Sequence, residues 1–297
     1  MIEQEPVQIL EVAPKLERGI SPYLDSILGT EFKILNDIGF IRVIDYMGVD
    51  SSIVQAARVS YGVGTKKVRE DKGLINYLMK NDHSSPFEMC ELKIHAKMPL
   101  FVARQWIRHR TASVNEYSAR YSEMKDEFYI PTELFSQSET NRQTSGNDVL
   151  VNSDELKEVM IDNSKRAFED YKKLLDSGVS RETARCVLPV NVYTEWYWKC
   201  DLRNLLHFIR LRDDAHAQHE IREYAKILSS IVKQWVPYTW EAFEKHRITT
   251  TTLSQGMHNV IKRRLNGEEV NRNSSQLTLP EWNELNLLFP EKKEDAV

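Results

Sequence analysis

The chain is poor in cysteine, with Cys90, Cys186 and Cys200 its only thiols in 297 residues. Their spacings match neither a zinc site nor a disulfide framework, so a reducing compartment is expected. No apolar run approaches the roughly 20 residues of a membrane-spanning helix, so no membrane partner is expected. The opening residues, MIEQEPVQILEV, are acidic and lack a signal-peptide core, which makes a cytoplasmic protein the expectation. No G-x-G-x-x-G is present: Gly62-Val63-Gly64 lacks the third glycine. Walker and G-x-S-x-G motifs are also missing, which excludes the common phosphate loop and nucleophile elbow. The formal net charge of −4 argues against a general nucleic-acid binder. There are no internal repeats and no proline-rich linkers.

What is present is an ordinary globular composition, 41% hydrophobic and 28% charged, enough for one large domain or two small ones. Residues 1–36 show no clear period and hold Pro6, Pro14 and Pro22, which reads as an N-terminal extension. Phe40 to Asp45 alternates and reads as a strand. Asp50-Ser51-Ser52 offers a cap before a helix with Ile53, Val54, Ala57 and Val59. A second helix follows, with Leu74, Ile75, Leu78 and Met79 on its apolar side. Glu91 to Met98 alternates cleanly as a half-buried strand. Ser136 to Asp154 is polar and reads as a mobile surface loop. Glu155 to Asp176 reads as a helix, with Val159, Phe168, Tyr171, Leu174 and Leu175 inward and Gly178 as its stop. Ser180 caps a short helix carrying Arg185, and Val190 to Trp198 is strand-like. Asp201–Arg212 and Ala217–Trp235 are helical, with Pro237 ending the second. Tyr238 to Lys245 closes the core. From Arg247 the composition shifts to threonine, asparagine and charge, so 247–297 reads as a C-terminal extension. Within it, Leu277 to Phe289 can form one packed element. Long helices mixed with separated strands predict an α+β domain, in which long helices pack on a mixed or antiparallel sheet.

The chemistry concentrates in Arg104 to Tyr121, RQWIRHRTASVNEYSARY. Pro99 sits where a first-turn proline belongs, and Leu100, Ala103 and Ile107 recur at helical spacing. Arg104 and Arg108, four apart, then share a helix face with Gln105 alongside. From Thr111 small polar residues favour irregular backbone. A solvated basic face would intersperse lysine and glutamate, but no lysine occurs between Met98 and Lys125. Arginine forks match phosphate and carboxylate geometry, so the stretch reads as a site for a planar, charged ligand. A second cluster follows. Arg203, His207 and Arg210 fall on one helical face, then come Arg212, His216 and His219. Asp213, His216 and His219 could hold a metal, but the neighbouring arginines would repel a cation, so none is expected. Ser118 has no base fixed beside it in sequence, so it reads as a phosphate ligand rather than a nucleophile.

Arg108-His109-Arg110 followed by Ser118, with Ser113, Asn115, Glu116, Arg120 and Tyr121 in register, resembles the RHR signature of flavin-dependent thymidylate synthases. The likeness spans roughly residues 37–246, which become the expected core. It implies that family's α+β fold and reductive methylation of dUMP to dTMP in dTMP biosynthesis. The carbon donor would be 5,10-methylenetetrahydrofolate, and FAD reduced by NADPH would carry the hydride. By matched position, Gln105, Arg108, Glu116, Ser118, Ala119, Arg120, Arg185 and Arg212 would contact dUMP. Ser85, Arg108, His109, Arg110, Glu116, Asp201, Leu202, Arg203 and His207 would contact FAD. Arg212 would stabilise charge on the uracil ring, and His83, in His83-Ser84-Ser85-Pro86-Phe87-Glu88, would lie near the flavin and folate as the second catalytic residue. The family often has asparagine where Asp201 and His207 stand, and glycine where Ala119 stands. It further implies a homotetramer with active sites shared between subunits.

Two other readings compete. Cys186, with Arg185 alongside to lower its pKa, would suit a cysteine-nucleophile thymidylate synthase. A non-catalytic nucleotide- or RNA-binding protein could use the arginines with Trp106, Tyr117 and Tyr121, although the acidic balance counts against it.

Overall fold

Ser21 starts the first element. Its hydroxyl accepts the Leu24 N–H, and Pro22 opens α1 (Pro22–Ile27) with its fixed φ. In this computed structural model the described residues are 18–59, 68–138 and 145–290. Gly62-Val63-Gly64, the first 17 residues, part of the polar 136–154 stretch and the EKKEDAV end lie outside them.

Strands β1 (Glu31–Ile34) and β2 (Gly39–Met47) form a hairpin. Its turn holds Leu35, Asn36 and Asp37 in the left-handed region, at φ 47, 62 and 59. The Tyr193 hydroxyl donates to the Leu35 carbonyl at 2.7 Å, and Asn36 donates to the Ile130 carbonyl at 2.8 Å, which hold that turn. Residues 22–34 are therefore not an arm, since Leu24 and Ile34 belong to the main core. Elements of six and four residues are too short to show a period.

In α2 (Asp50–Arg58) the cap comes from Ser52, whose hydroxyl accepts the Val49 N–H at 3.1 Å. Asp50 is instead buried, accepting from Tyr238 and Thr239 at 2.7–3.0 Å. Helix α3 (Val68–Lys80) buries Ile75, Leu78 and Met79 as its period predicts. Strand β3 (Glu91–Pro99) buries Leu92, Ile94, Ala96 and Met98.

Helix α4 (Leu100–Trp106) begins after Pro99, which is the N-cap rather than a first-turn residue. It ends too early to carry Arg108, so Arg104 and Arg108 do not share a helix face. The backbone after Thr111 is not irregular either: β4 (Ser113–Glu116) joins the sheet. The polar 136–154 stretch contains a hairpin of β5 (Phe135–Gln137) and β6 (Ser145–Val149).

Helix α5 (Ser153–Asp176) buries Phe168 and Tyr171, but Val159 is 54% exposed rather than inward. Gly178 ends it at φ 84. Then come α6 (Arg181–Ala184), β7 (Tyr193–Asp201), α7 (Leu202–Arg212) and α8 (His219–Trp235). Pro237 opens α9 (Pro237–Phe243), which runs into a π-helical turn at Glu244–Ile248.

The main sheet has the order β1-β2-β3-β7-β4, antiparallel throughout. The core lies against one face of it. Trp106 is fully buried, with ring centroids 4.8 Å from Phe208 and 5.7 Å from both Trp196 and Trp198. Aromatic rings of this size dominate a core's transfer energy, so the register of β7 and the seating of α7 depend on this cluster.

Residues from Thr249 form a second unit. Its helices are α10 (Gln255–Leu265), α11 (Arg272–Ser275) and α12 (Leu279–Leu288), capped by Ser254, Asn271 and Thr278. Met257, Val260, Val270 and Leu285 are its core. Among the described residues no helix is long and apolar enough to cross a membrane.

Candidate active site

Helix α7 begins at the end of β7, where Asp201 caps it. One carboxylate oxygen accepts the Asn204 N–H at 3.0 Å and the other accepts the Asn204 side-chain amide at 2.8 Å. The helix then presents Arg203, His207 and Arg210 on one face, as their spacing predicts. All three line a cavity of about 430 Å³. Asp82, His83, Ser84, Thr111 and Arg247 share its wall, and Leu78, Phe87 and Phe243 give it an apolar side. Arg203 lies 3.7 Å from Glu88, a loose ion pair.

His109 abuts this face, its ring 5.6 Å from His207 and edge-on to Phe208 at 5.7 Å. Burial, then the neighbouring His207 and Arg212, push its pKa down. Burial, then Arg210, Arg203 and Arg212, do the same to His207. Both shifts favour the neutral imidazole. The Nε2 of His109 is buried without a partner, a group that needs a ligand or water to be satisfied.

Arg210 also borders a second depression of about 360 Å³, with Gln105, Arg212, Asp214 and His216. Burial weakens the hold of Arg212 on its proton. The side-chain oxygen of Gln105 is buried and unpartnered there. His83 borders a further groove of about 960 Å³ with Ser85, Tyr77 and Met89, its ring edge-on to Tyr77 at 5.6 Å.

The remaining expected residues sit elsewhere on the fold. Ser118, Ala119 and Arg120 form the turn after β4, where the Ser118 hydroxyl accepts the Arg120 N–H at 3.3 Å. Arg120 pairs with Glu182 of α6 at 2.9 Å, and Arg185 donates to the Glu182 carbonyl at 3.3 Å. Glu182, which the sequence did not single out, thus joins Arg120 to Arg185. Glu116 accepts from the Thr194 hydroxyl at 2.8 Å. Arg108 and Arg110 are exposed, and no ion pair among the described residues engages them. Leu202 is fully buried and its N–H donates to the Cys90 carbonyl at 2.8 Å. The group of Ser118, Arg120 and Arg185 lines none of the cavities above.

Asp213, His216 and His219 do not converge. Asp213 accepts from Ser229 at 2.6 Å, His216 faces Asp214 at 2.8 Å and His219 lies 3.9 Å from Glu223. Cys186 is exposed, while burial pushes the Cys90 thiol up to about 12 and the Cys200 thiol higher still. Sequence reading also missed Asp82 and Arg247, since neither stands in a motif.

Residues 42–238 match the family model for thymidylate synthase complementing protein. A flavin-dependent thymidylate synthase of Rickettsia conorii (strain ATCC VR-613 / Malish 7) is 51% identical over 284 residues, covering 90% of this chain and 96% of its own. One from Gluconobacter oxydans (strain 621H) is 53% identical over 270 residues, covering 88% of each chain. The crystal structure of the UMP/dUMP methylase PolB from Streptomyces cacaoi, bound with 5-Br dUMP, superposes with a TM-score of 0.65. It is 34% identical and covers 70% of this chain and 96% of that one.

Proposed function

The chain belongs to the flavin-dependent thymidylate synthase family, and we propose that it converts dUMP to dTMP. The proposed carbon donor is 5,10-methylenetetrahydrofolate, and the proposed hydride carrier is FAD reduced by NADPH. The observation that carries this reading is the α7 face, where Arg203, His207 and Arg210 line one partly apolar cleft.

The residues fit a flavin nucleotide. Arg203 and Arg210 suit an anionic pyrophosphate. The unpartnered Nε2 of His109 offers a hydrogen bond to a ring edge. Leu78, Phe87 and Phe243 can cover a planar apolar ring. Asp201 and Leu202 have less to offer: both Asp201 oxygens cap α7, and the Leu202 side chain is in the core. When bound, the flavin supplies the hydride and the protein supplies position and charge.

Uracil C5 is a poor nucleophile until negative charge develops along the N3–O4 side of the ring. Arg212, half-buried and fixed on the last turn of α7, stabilises that charge as it forms. Gln105, beside it, can accept a hydrogen bond from the uracil N3–H with its free oxygen. Arg120, Arg185 and Ser118 form the anion-binding turn for the nucleotide phosphate. Glu116, Ala119 and Arg108 complete the surroundings of dUMP, Arg108, Arg110 and Glu116 also contact FAD, and Ser85 and His83 border the flavin and folate.

Ser118, Arg120 and Arg185 lie apart from the Arg212 depression within one chain. This separation supports a homotetramer in which the turn of one copy completes the cleft of another. On this reading residues 37–246 are the catalytic core, on which α1 and β1 pack as part of the same core, and the enzyme works in the cytoplasm on small molecules rather than nucleic acid or membrane.

The test is the visible spectrum of the purified protein before and after anaerobic NADPH. The expected result is a flavin band that bleaches, then returns when dUMP and methylenetetrahydrofolate are added together. A protein that stays colourless after incubation with FAD overturns the reading.

A further inference from the structure

Two unusual backbone features meet at one ion pair in the wall of the α7 cleft. The first is the end of α3. Asp82 is left-handed there, at φ 58. The next N–H, that of His83, donates back to the Leu78 carbonyl at 3.0 Å, the long bond of a Schellman end. The same bond closes α5, from Val179 to Leu174 at 2.9 Å, and α10, from Glu268 to Arg263 at 3.0 Å. In both of those ends the left-handed residue is glycine, Gly178 at φ 84 and Gly267 at φ 82. Glycine has no Cβ to clash in that region, so an aspartate is the less favourable choice.

The second feature is the π-helical turn Glu244–Ile248. Such turns are rare and gather at functional sites. This one carries Arg247 back to α3. Its guanidinium donates to the Met79 carbonyl at 2.6 Å and to the His246 carbonyl at 3.0 Å, and it pairs with the Asp82 carboxylate. The His246 ring lies 2.9 Å from the Asn76 side-chain oxygen, a second tie between the same elements. The Arg247 side chain is 22% exposed and that of Asp82 is 85% exposed, so the guanidinium is the buried partner of the pair. Asp82, His83 and Arg247 line the same cavity as Arg203 and His207.

We propose that Asp82 and Arg247 form a positioning latch for His83. The carboxylate, at a position where glycine would fold better, anchors Arg247, which also satisfies a terminal carbonyl of α3. Together they hold the turn that aims His83 at the cleft. The functional half of this inference rests on the reading of the cleft as the flavin site. Arg247 lies beyond the residues 42–238 that match the family model.

The test uses the full chain with Asp82→Gly, Asp82→Asn and Arg247→Ala. In flavin-free protein, Arg247→Ala is expected to speed amide hydrogen exchange at His83 at least tenfold. Asp82→Gly is expected to leave the melting temperature unchanged or higher, yet to lower kcat about tenfold without changing the KM for dUMP. Asp82→Asn, which tolerates the left-handed turn but lacks the charge, is expected to fall between. Unchanged His83 exchange in Arg247→Ala overturns the latch. Unchanged kcat in Asp82→Gly overturns its function, and that variant keeps the proposal falsifiable if Arg247→Ala does not fold. Failure of the flavin reading is seen separately, as wild-type protein that takes up no FAD.

Discussion

Arg203 and Arg210 on α7 and Arg120 and Arg185 beside α6 are the same side chain in two settings. On α7 Arg203 lies 3.7 Å from Glu88, with side chains 51% and 38% exposed, and burial lowers the adjacent imidazoles below their usual pKa. At the turn, Arg120 already holds Glu182 at 2.9 Å, with both side chains more than half exposed. A cation held only loosely by its partner at the wall of a cleft gains from an incoming anion. A cation that is paired in water gains little, because the ligand must replace the existing partner. Counting arginines in the sequence treats the two groups alike; the closeness of the counter-ion separates them, since Arg203 and Arg120 are equally exposed.

The strongest way to break the α7 side is to remove its floor. Trp106→Ala empties the cluster against Phe208, Trp196 and Trp198 and is expected to cost about 3–5 kcal/mol, measured by urea unfolding of the flavin-free protein. Next is Arg212→Ala. If this guanidinium acts on the developing charge, kcat falls about 10²- to 10³-fold with nucleotide binding largely retained in calorimetry. A fall confined to binding would move Arg212 to the phosphate side of the comparison.

The exposed turn should respond more weakly. Ser118→Ala is expected to weaken dUMP binding by about 1 kcal/mol, roughly fivefold, while turnover stays measurable. Total loss of turnover with normal binding would make Ser118 a chemical participant instead.

The smallest effect is that of pH on stability. Burial, then cationic neighbours, lower the folded pKa of His109 and His207 below the ordinary value of 6.5. The unfolded chain therefore binds more protons as pH falls past 6.5. Stability is full above that value and declines below it. Denaturant midpoints of flavin-free protein between pH 8 and pH 5, two ordinary buffer limits (about one unit or more either side of a histidine's usual pKa), should show that direction. His109→Gln should flatten the slope, whereas a change at the exposed turn should not.

Much of this was legible before any coordinates. The alternation in Glu91–Met98, the apolar stripe of α3 and the one-faced spacing of Arg203, His207 and Arg210 are periodic signals that survive folding. The Arg108-His109-Arg110 and Ser118 pattern led to the family that the comparisons show. The errors share a cause. β4 looks like a polar loop because Ser113–Glu116 is edge backbone, held by its ladder with β7 rather than by apolar side chains. The hairpin at β5 and β6 is polar for the same reason. Arg108 looks helical only if α4 continues, and its end after Trp106 has no proline or glycine to announce it.

By itself, the sequence determined the periods, the caps and the signature residues, because these depend on neighbours three or four positions apart. Pairings across the chain belonged to the tertiary structure alone. It gave Arg120 to Glu182, 62 positions away, and Arg247 to Asp82, 165 positions away. It also turned Asp201 inward as a cap and left the His109 nitrogen unpartnered. Burial and counter-ions are properties of the packed chain, and they decide which charged residues are available to a ligand.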